Sequence, residues 1–136
     1  MQVQAYLNFG GRCEEALTFY KESIGAEVSD LMRWKESPDP MMKAPASYGE
    51  KIMHATFKIG STTLMADDGM EQGKIEHKGF TLAIEVANDA QAKRVFAALG
   101  EGGKVQMPLA KTFWTSSFGM LTDKFGVPWM VNVETL

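Results

Sequence analysis

The chain has 136 residues and a mass of 15.0 kDa, enough for one domain with a real core. Its 45% hydrophobic and 23% charged content excludes a disordered polymer. A formal charge of −3, a pI of about 5.4 and the lack of any basic run exclude nucleic acid and anionic membrane as partners.

The first stretch, Gln2 to Phe9, alternates as a strand and ends at Gly10-Gly11. A helix follows, with Cys13, Ala16, Leu17, Tyr20 and Ile24 at helical spacing and Gly25 as its stop. Ala26 to Lys35 reads as a strand. Residues 36–50 hold three prolines and no periodicity, the pattern of a long excursion that is either a binding lid or disordered. Lys51 to Ile59 and Thr62 to Ala66 form a hairpin through Gly60-Ser61.

After a polar link the order begins again. Phe80 to Val86 is a strand, and Asn88 or Asp89 caps a helix whose buried stripe is Ala92, Val95, Phe96 and Leu99. Lys104 to Leu109, Trp114 to Thr122 and Val127 to Val133 supply three more strands, the last two joined by a turn at Asp123 to Gly126. The chain is therefore a duplicated strand-helix-strand-strand-strand unit: module one 1–67, link 68–78 and module two 79–136. The fold class is α+β. The last strand, Val127 to Val133, carries no charge on either face, so its second face is not built for water alone.

The segments "YLNFGGRCEEALTFYKESIGAE", "MHATFKIG" and "TFWTSSFGMLTDKFGVPWMVN", with the spacing between them, resemble the PhnB-like branch of the vicinal oxygen chelate superfamily. That superfamily includes glyoxalases, bleomycin-resistance proteins and extradiol dioxygenases. The resemblance implies paired βαβββ modules whose antiparallel sheets curl into a cup with helices outside, assembled as a homodimer. It does not fix an activity, because the scaffold serves isomerases, dioxygenases, thiol transferases and drug binders.

The resemblance also implies where a divalent metal would be held: on the first and last strand of each module, by His, Glu or Gln. Those positions fall at Ala5, with Gln4 beside it, near Leu64, Met65 or Ala66, at Thr81 or Phe80, and at Met130. Such side chains do not bind a hard or borderline cation. No metal and no cofactor are therefore expected.

His54 is the one histidine inside a predicted strand, either bonded to its strand neighbours or offered to a ligand. His77 lies in the solvated link. Asp67-Asp68-Gly69 reads as a turn, and Cys13 as a packing residue on the helix stripe. "KTFWTSSFG", Lys111 to Gly119, is too aromatic and too rich in hydroxyls for a plain core strand. Extended backbone there would send Phe113 and Trp114 to opposite faces. The segment serves as core packing, as a ligand wall of Trp114, Phe118 and Met120, or as a subunit contact. The ten methionines suit core gaps and adaptable apolar cavities.

The expected ligand-binding residues are His54, Met65, Thr81, Trp114, Phe118, Met120 and Met130. No catalytic triad, phosphate loop or G-x-G-x-x-G nucleotide fingerprint occurs. The reading is a metal-independent protein binding a small apolar or aromatic molecule. One alternative is a metal-dependent glyoxalase- or dioxygenase-type enzyme using His54, Asp67, Asp68 or Glu85. The other is a non-catalytic dimeric scaffold. The single cysteine, the lack of a signal-peptide pattern and the short apolar runs place it in the cytoplasm.

Overall fold

Cys13, Ala16, Leu17 and Tyr20 recur every three or four residues, and they are the buried stripe of the first helix, α1 (Cys13–Ile24). Gly25 ends it with φ 72, a left-handed conformation that costs glycine little, and its N–H reaches the Lys21 carbonyl at 3.1 Å. The computed structural model describes residues 1–38, 46–70 and 75–134. They fall into two units, Met1–Ile75 and Glu76–Leu136.

In the first unit, α1 packs on one face of a sheet made of β1 (Tyr6–Asn8), β2 (Glu27–Arg33), β3 (Ile52–Ile59) and β4 (Thr62–Asp67). The order is β1-β4-β3-β2, with β1 parallel to β4 and the other pairs antiparallel. The sheet is thus mixed: α1 carries the chain from β1 across to the opposite edge, and the β2-β3-β4 meander returns to β1. Leu7, Phe57, Leu64 and Ala66 point into the core with Leu17 and Tyr20, whose ring stacks on Phe57 at 6.3 Å.

By its sequence context Asp68 is a turn residue. It is instead 1% exposed and organises the unit. Its Oδ1 accepts from the Gly11 and Cys13 N–H groups, and its Oδ2 from Ile52 N–H, each at 2.8 Å. The Tyr48 hydroxyl donates to its carbonyl at 2.6 Å. One carboxylate therefore fixes the start of α1 and the start of β3 together, and satisfies donors that burial would leave unpaired. Of the expected excursion over 36–50, single helical turns form at Trp34–Glu36 and Ala46–Tyr48, while residues 39–45 lie outside the described residues.

The second unit repeats the pattern with β5 (Leu82–Val86), α2 (Asp89–Gly100), β6 (Lys104–Ala110), β7 (Phe118–Thr122) and β8 (Pro128–Val133). Its order is β5-β8-β7-β6, again with one parallel edge pair. Asn88 caps α2 by accepting from Gln91 N–H at 2.9 Å. The stripe expected from the sequence, Ala92, Val95, Phe96 and Leu99, is buried, as are Trp129, Val131 and Val133 of β8. The β7–β8 turn is held by Asp123, whose Oδ1 accepts from Phe125 and Val127 N–H and whose Oδ2 accepts from the Trp129 indole at 2.9 Å. Gly126 closes that turn with φ 86.

Most strands are shorter than their sequence pattern, β1 and β7 by the most. β1 spans only Tyr6–Asn8, although the Ala5 carbonyl still receives Met65 N–H at 3.0 Å. β7 begins at Phe118 and not at Trp114, because residues 112–117 use their polar groups in a turn. The paired βαβββ order and the α+β class stand as expected.

Asp68→Ala is expected to destabilise the protein by about 3 kcal/mol or more, since it strands two buried N–H groups and one part-buried one. Urea denaturation measures it; the control Ser29→Ala, at an exposed edge hydroxyl, should stay within about 0.5 kcal/mol of the parent.

Candidate functional site

Each helix covers one face of its own sheet. Strand alternation assigns the other face, and the seven expected ligand-binding residues lie there or beside it.

In the second unit, Met130 of β8 lies between Ala83 of β5 and Met120 of β7, and Met120 is in register with Met107 of β6. Three methionines thus make one row across three strands. The next row runs Glu85, Asn132, Phe118 and Ala110. Thr81 lies just before β5 and shares the parity of Ala83 and Glu85.

Trp114 joins this face from the turn that precedes β7. Its indole N–H donates to Asn132 Oδ1 at 3.1 Å, and its ring meets Phe118 edge-on at 5.2 Å. The turn is well fixed. Thr112 Oγ1 accepts from the N–H groups of Trp114 and Thr115, the Thr115 hydroxyl donates to the Val133 carbonyl at 2.8 Å, and the Ser116 and Ser117 hydroxyls both donate to Asp89. Those serine bonds hold the Asp89 carboxyl below its usual range. The hydroxyls that set this segment apart from a plain core strand are mostly structural. Trp114 stays 45% exposed, and Phe113, 97% exposed, leans edge-on against it. Phe113 and Trp114 touch each other, contrary to the opposite faces an extended strand would give them.

In the first unit, Met65 of β4 lies between Tyr6 of β1 and Thr56 of β3. His54 is opposite Met32 of β2, and one step past the Ala55–Ala66 pair it faces Asp67. Tyr6 Oη and His54 Nδ1 are 3.1 Å apart, and His54 Nε2 lies 3.3 Å from the Thr56 hydroxyl. Burial, followed by the charge of Asp67 and a hydrogen bond to it, pushes the Tyr6 phenol up to about 12. Desolvation also raises the Asp67 carboxyl above its ordinary value. His54 thus bonds its strand neighbours while staying half-buried on the open face. Tyr6 escaped the sequence reading, having no signal beyond an alternating strand. Cys13 is fully buried, with its thiol pushed up by desolvation, as a packing residue should be.

Residues 1–132 match the family described as 3-demethylubiquinone-9 3-methyltransferase. The chain belongs to that family. It is 36% identical to protein YjdN of Escherichia coli (strain K12), over 98% of this chain and 95% of that one. It is 44% identical to the crystal structure of PA1353 from Pseudomonas aeruginosa, with a TM-score of 0.86 and 98% of both chains covered. A structure described as a putative 3-demethylubiquinone-9 3-methyltransferase, PhnB protein, from Bacillus cereus shares the fold at TM-score 0.82 and 24% identity, covering 98% of this chain and all of that one. Fold likeness extends to the fosfomycin resistance protein FosX from Mesorhizobium loti, at TM-score 0.65 and 13% identity, with 100% and 93% covered. This likeness agrees with the glyoxalase-type architecture expected of the PhnB-like chain.

A metal of the kind that architecture implies finds poor donors at the expected positions. The β4 and β8 positions are Met65 and Met130, and their register partners on β1 and β5 are Tyr6 and Ala83. Thioether, methyl and a phenol held protonated do not suit a hard or borderline divalent ion. Among the described residues no group of three or more His, Cys, Asp or Glu is placed to hold one. Among those residues, too, no helix is long and apolar enough to cross a membrane.

The raised Asp67 carboxyl has a defined pH signature. Folding favours its protonated form, so its contribution is present below the ordinary value of 3.8 and is lost as pH rises through the folded value. Asp67→Asn keeps an acceptor for Gly69 N–H, which lies at 3.1 Å. The variant should melt above the parent at pH 7, with the gain shrinking as pH falls through the folded value toward 3.8. Melting curves across that range check it, and an equal gain at both ends would remove the linkage.

Proposed function

We propose that this PhnB-like protein binds a small apolar or aromatic molecule on the open face of the second unit's sheet, without a resident metal. The observation that carries the reading is the Met107–Met120–Met130 row beside Phe118 and Trp114. Methionine side chains adapt to an irregular ligand and make favourable contacts with aromatic rings. Trp114 supplies a flat wall, held by its bond to Asn132 and therefore already ordered before a ligand arrives. Few polar groups on the face are left to fix orientation: Thr81, Glu85 and the Asn132 amide, the last also donating to the Val133 carbonyl at 3.1 Å.

Binding follows from this composition. A ligand covering about 200 Å² of apolar surface gains about 5 kcal/mol from the displaced water, before the cost of association. Micromolar affinity then requires good ring contacts. Sequestration is the activity this supports. We assign no methyl-transfer step to the chain, whose sequence has no nucleotide fingerprint for a methyl donor. Homodimer assembly and a cytoplasmic location belong to the same proposal and rest on the family resemblance and on the buried single cysteine.

Naphthalene is a suitable probe. It should bind and change the tryptophan fluorescence, and Trp114→Ala should weaken binding about tenfold, the loss of one ring wall. An unchanged affinity in Trp114→Ala, with the fold intact by circular dichroism, would remove this face from the site.

A further inference from the structure

In the four strands of the second unit only Glu85 and Lys104 are charged, and they lie at opposite corners of the open face. Glu85, on the edge strand β5, is in register with Asn132, and its row continues through Phe118 to Ala110. Lys104, on the far edge strand β6, belongs to the row of Thr122 and Pro128. Ordinary strand spacings put the two positions about 20 Å apart, too far for their side chains to meet. Both are exposed, and the Glu85 carboxylate has no hydrogen-bond or ion-pair partner among the described residues. It is a lone anion on an otherwise apolar surface.

The groups around Glu85 decide what such an anion selects. Asn132 already spends its side chain within the protein: its Oδ1 accepts from the Trp114 indole and its amide donates to the Val133 carbonyl, each at 3.1 Å. Glu85 and that indole are therefore both neighbours of Asn132, and the indole ring stays 45% exposed. Ala83, small and exposed, precedes Glu85 on the same face and is in register with Met130. Nothing bulky separates the carboxylate from the methionine row.

We propose that the molecule held on this face is a cationic amine with an aromatic body. Its ammonium donates to the Glu85 carboxylate, and its ring lies over Ala83 and the methionines beside Trp114. The inference rests on the reading that this face binds apolar molecules, and adds the charge of the ligand to it. Glu85 is then the residue that sets specificity. A cation gains from the carboxylate and from the ring quadrupole of the nearby indole. A neutral aromatic gains from neither charge term, and an anion is repelled. A divalent metal is a poorer occupant, because one carboxylate supplies too few donors and no group of three or more His, Cys, Asp or Glu stands among the described residues.

Three probes share one ring system and differ in charge: 1-naphthylmethylamine, 1-naphthalenemethanol and 1-naphthoate. Calorimetric titration at neutral pH and low salt should rank the amine about fivefold tighter than the alcohol, and the carboxylate weakest. In Glu85→Gln, which has no internal partner to lose and should fold as the parent does, the preference for the amine should drop below about twofold. Lys104→Gln, at the far corner, should keep it. An amine no tighter than the alcohol in the parent, or a preference undiminished in Glu85→Gln, would overturn the proposal. A carboxylate that serves only to keep the sheet edge from pairing with another strand would give that result. Naphthalene separates this inference from the reading beneath it. If naphthalene binds and the amine has no advantage, only the charge assignment falls. If neither binds, the face is not a site and both fall.

Discussion

A four-stranded sheet served by one helix has a face left over, and this constraint governs the molecule. In each unit the helix stripe takes one side of the strands: Leu7, Phe57, Leu64 and Ala66 in the first, Trp129, Val131 and Val133 in the second. The alternation of strand side chains then commits every second residue to the other side. Those positions cannot be chosen for packing against the helix, so their chemistry is free to serve a ligand. The two units use that freedom differently, with methionines and aromatics in the second and a hydrogen-bonded Tyr6–His54–Thr56 group in the first.

Two buried carboxylates make the arrangement rigid enough to present a surface. Asp68 ties the start of α1 to the start of β3, and Asp123 ties the β7–β8 turn to the Trp129 indole. Each satisfies three N–H donors. A buried anion is tolerated only with such complete hydrogen bonding. Serine and threonine bonds do the same for the turn that carries Trp114, so the indole stands on fixed backbone although it is exposed.

Much of this was legible in the sequence, and the reasons are physical. Helix stripes repeat at 3.6 residues and strands at 2, so α1, α2 and the duplicated order could be read directly. The uncharged Val127 to Val133 arm marks a second face not built for water alone, and in β8 that face, Pro128, Met130 and Asn132, is half-buried while Trp129, Val131 and Val133 are buried. Long-range hydrogen bonds leave no such period. Nothing local marks Asp68 as buried, Thr115 as a partner of Val133, or Tyr6 as a neighbour of His54. Strand ends failed for the same reason: Trp114 fits a strand by composition, but the hydroxyls around it bond the turn and α2 and hold it off the ladder.

Met65 and Met130 carry the central claim, because they stand at positions where the resemblance to the vicinal oxygen chelate superfamily implies acidic or imidazole donors in a metal-dependent member. Elemental analysis of protein purified without added metal, before and after chelation, tests it most directly when naphthalene binding is followed on the same samples. Far less than one metal per chain, with binding unchanged by chelation, is the predicted result. One tightly held equivalent per chain, removed by the chelator together with binding, would contradict it.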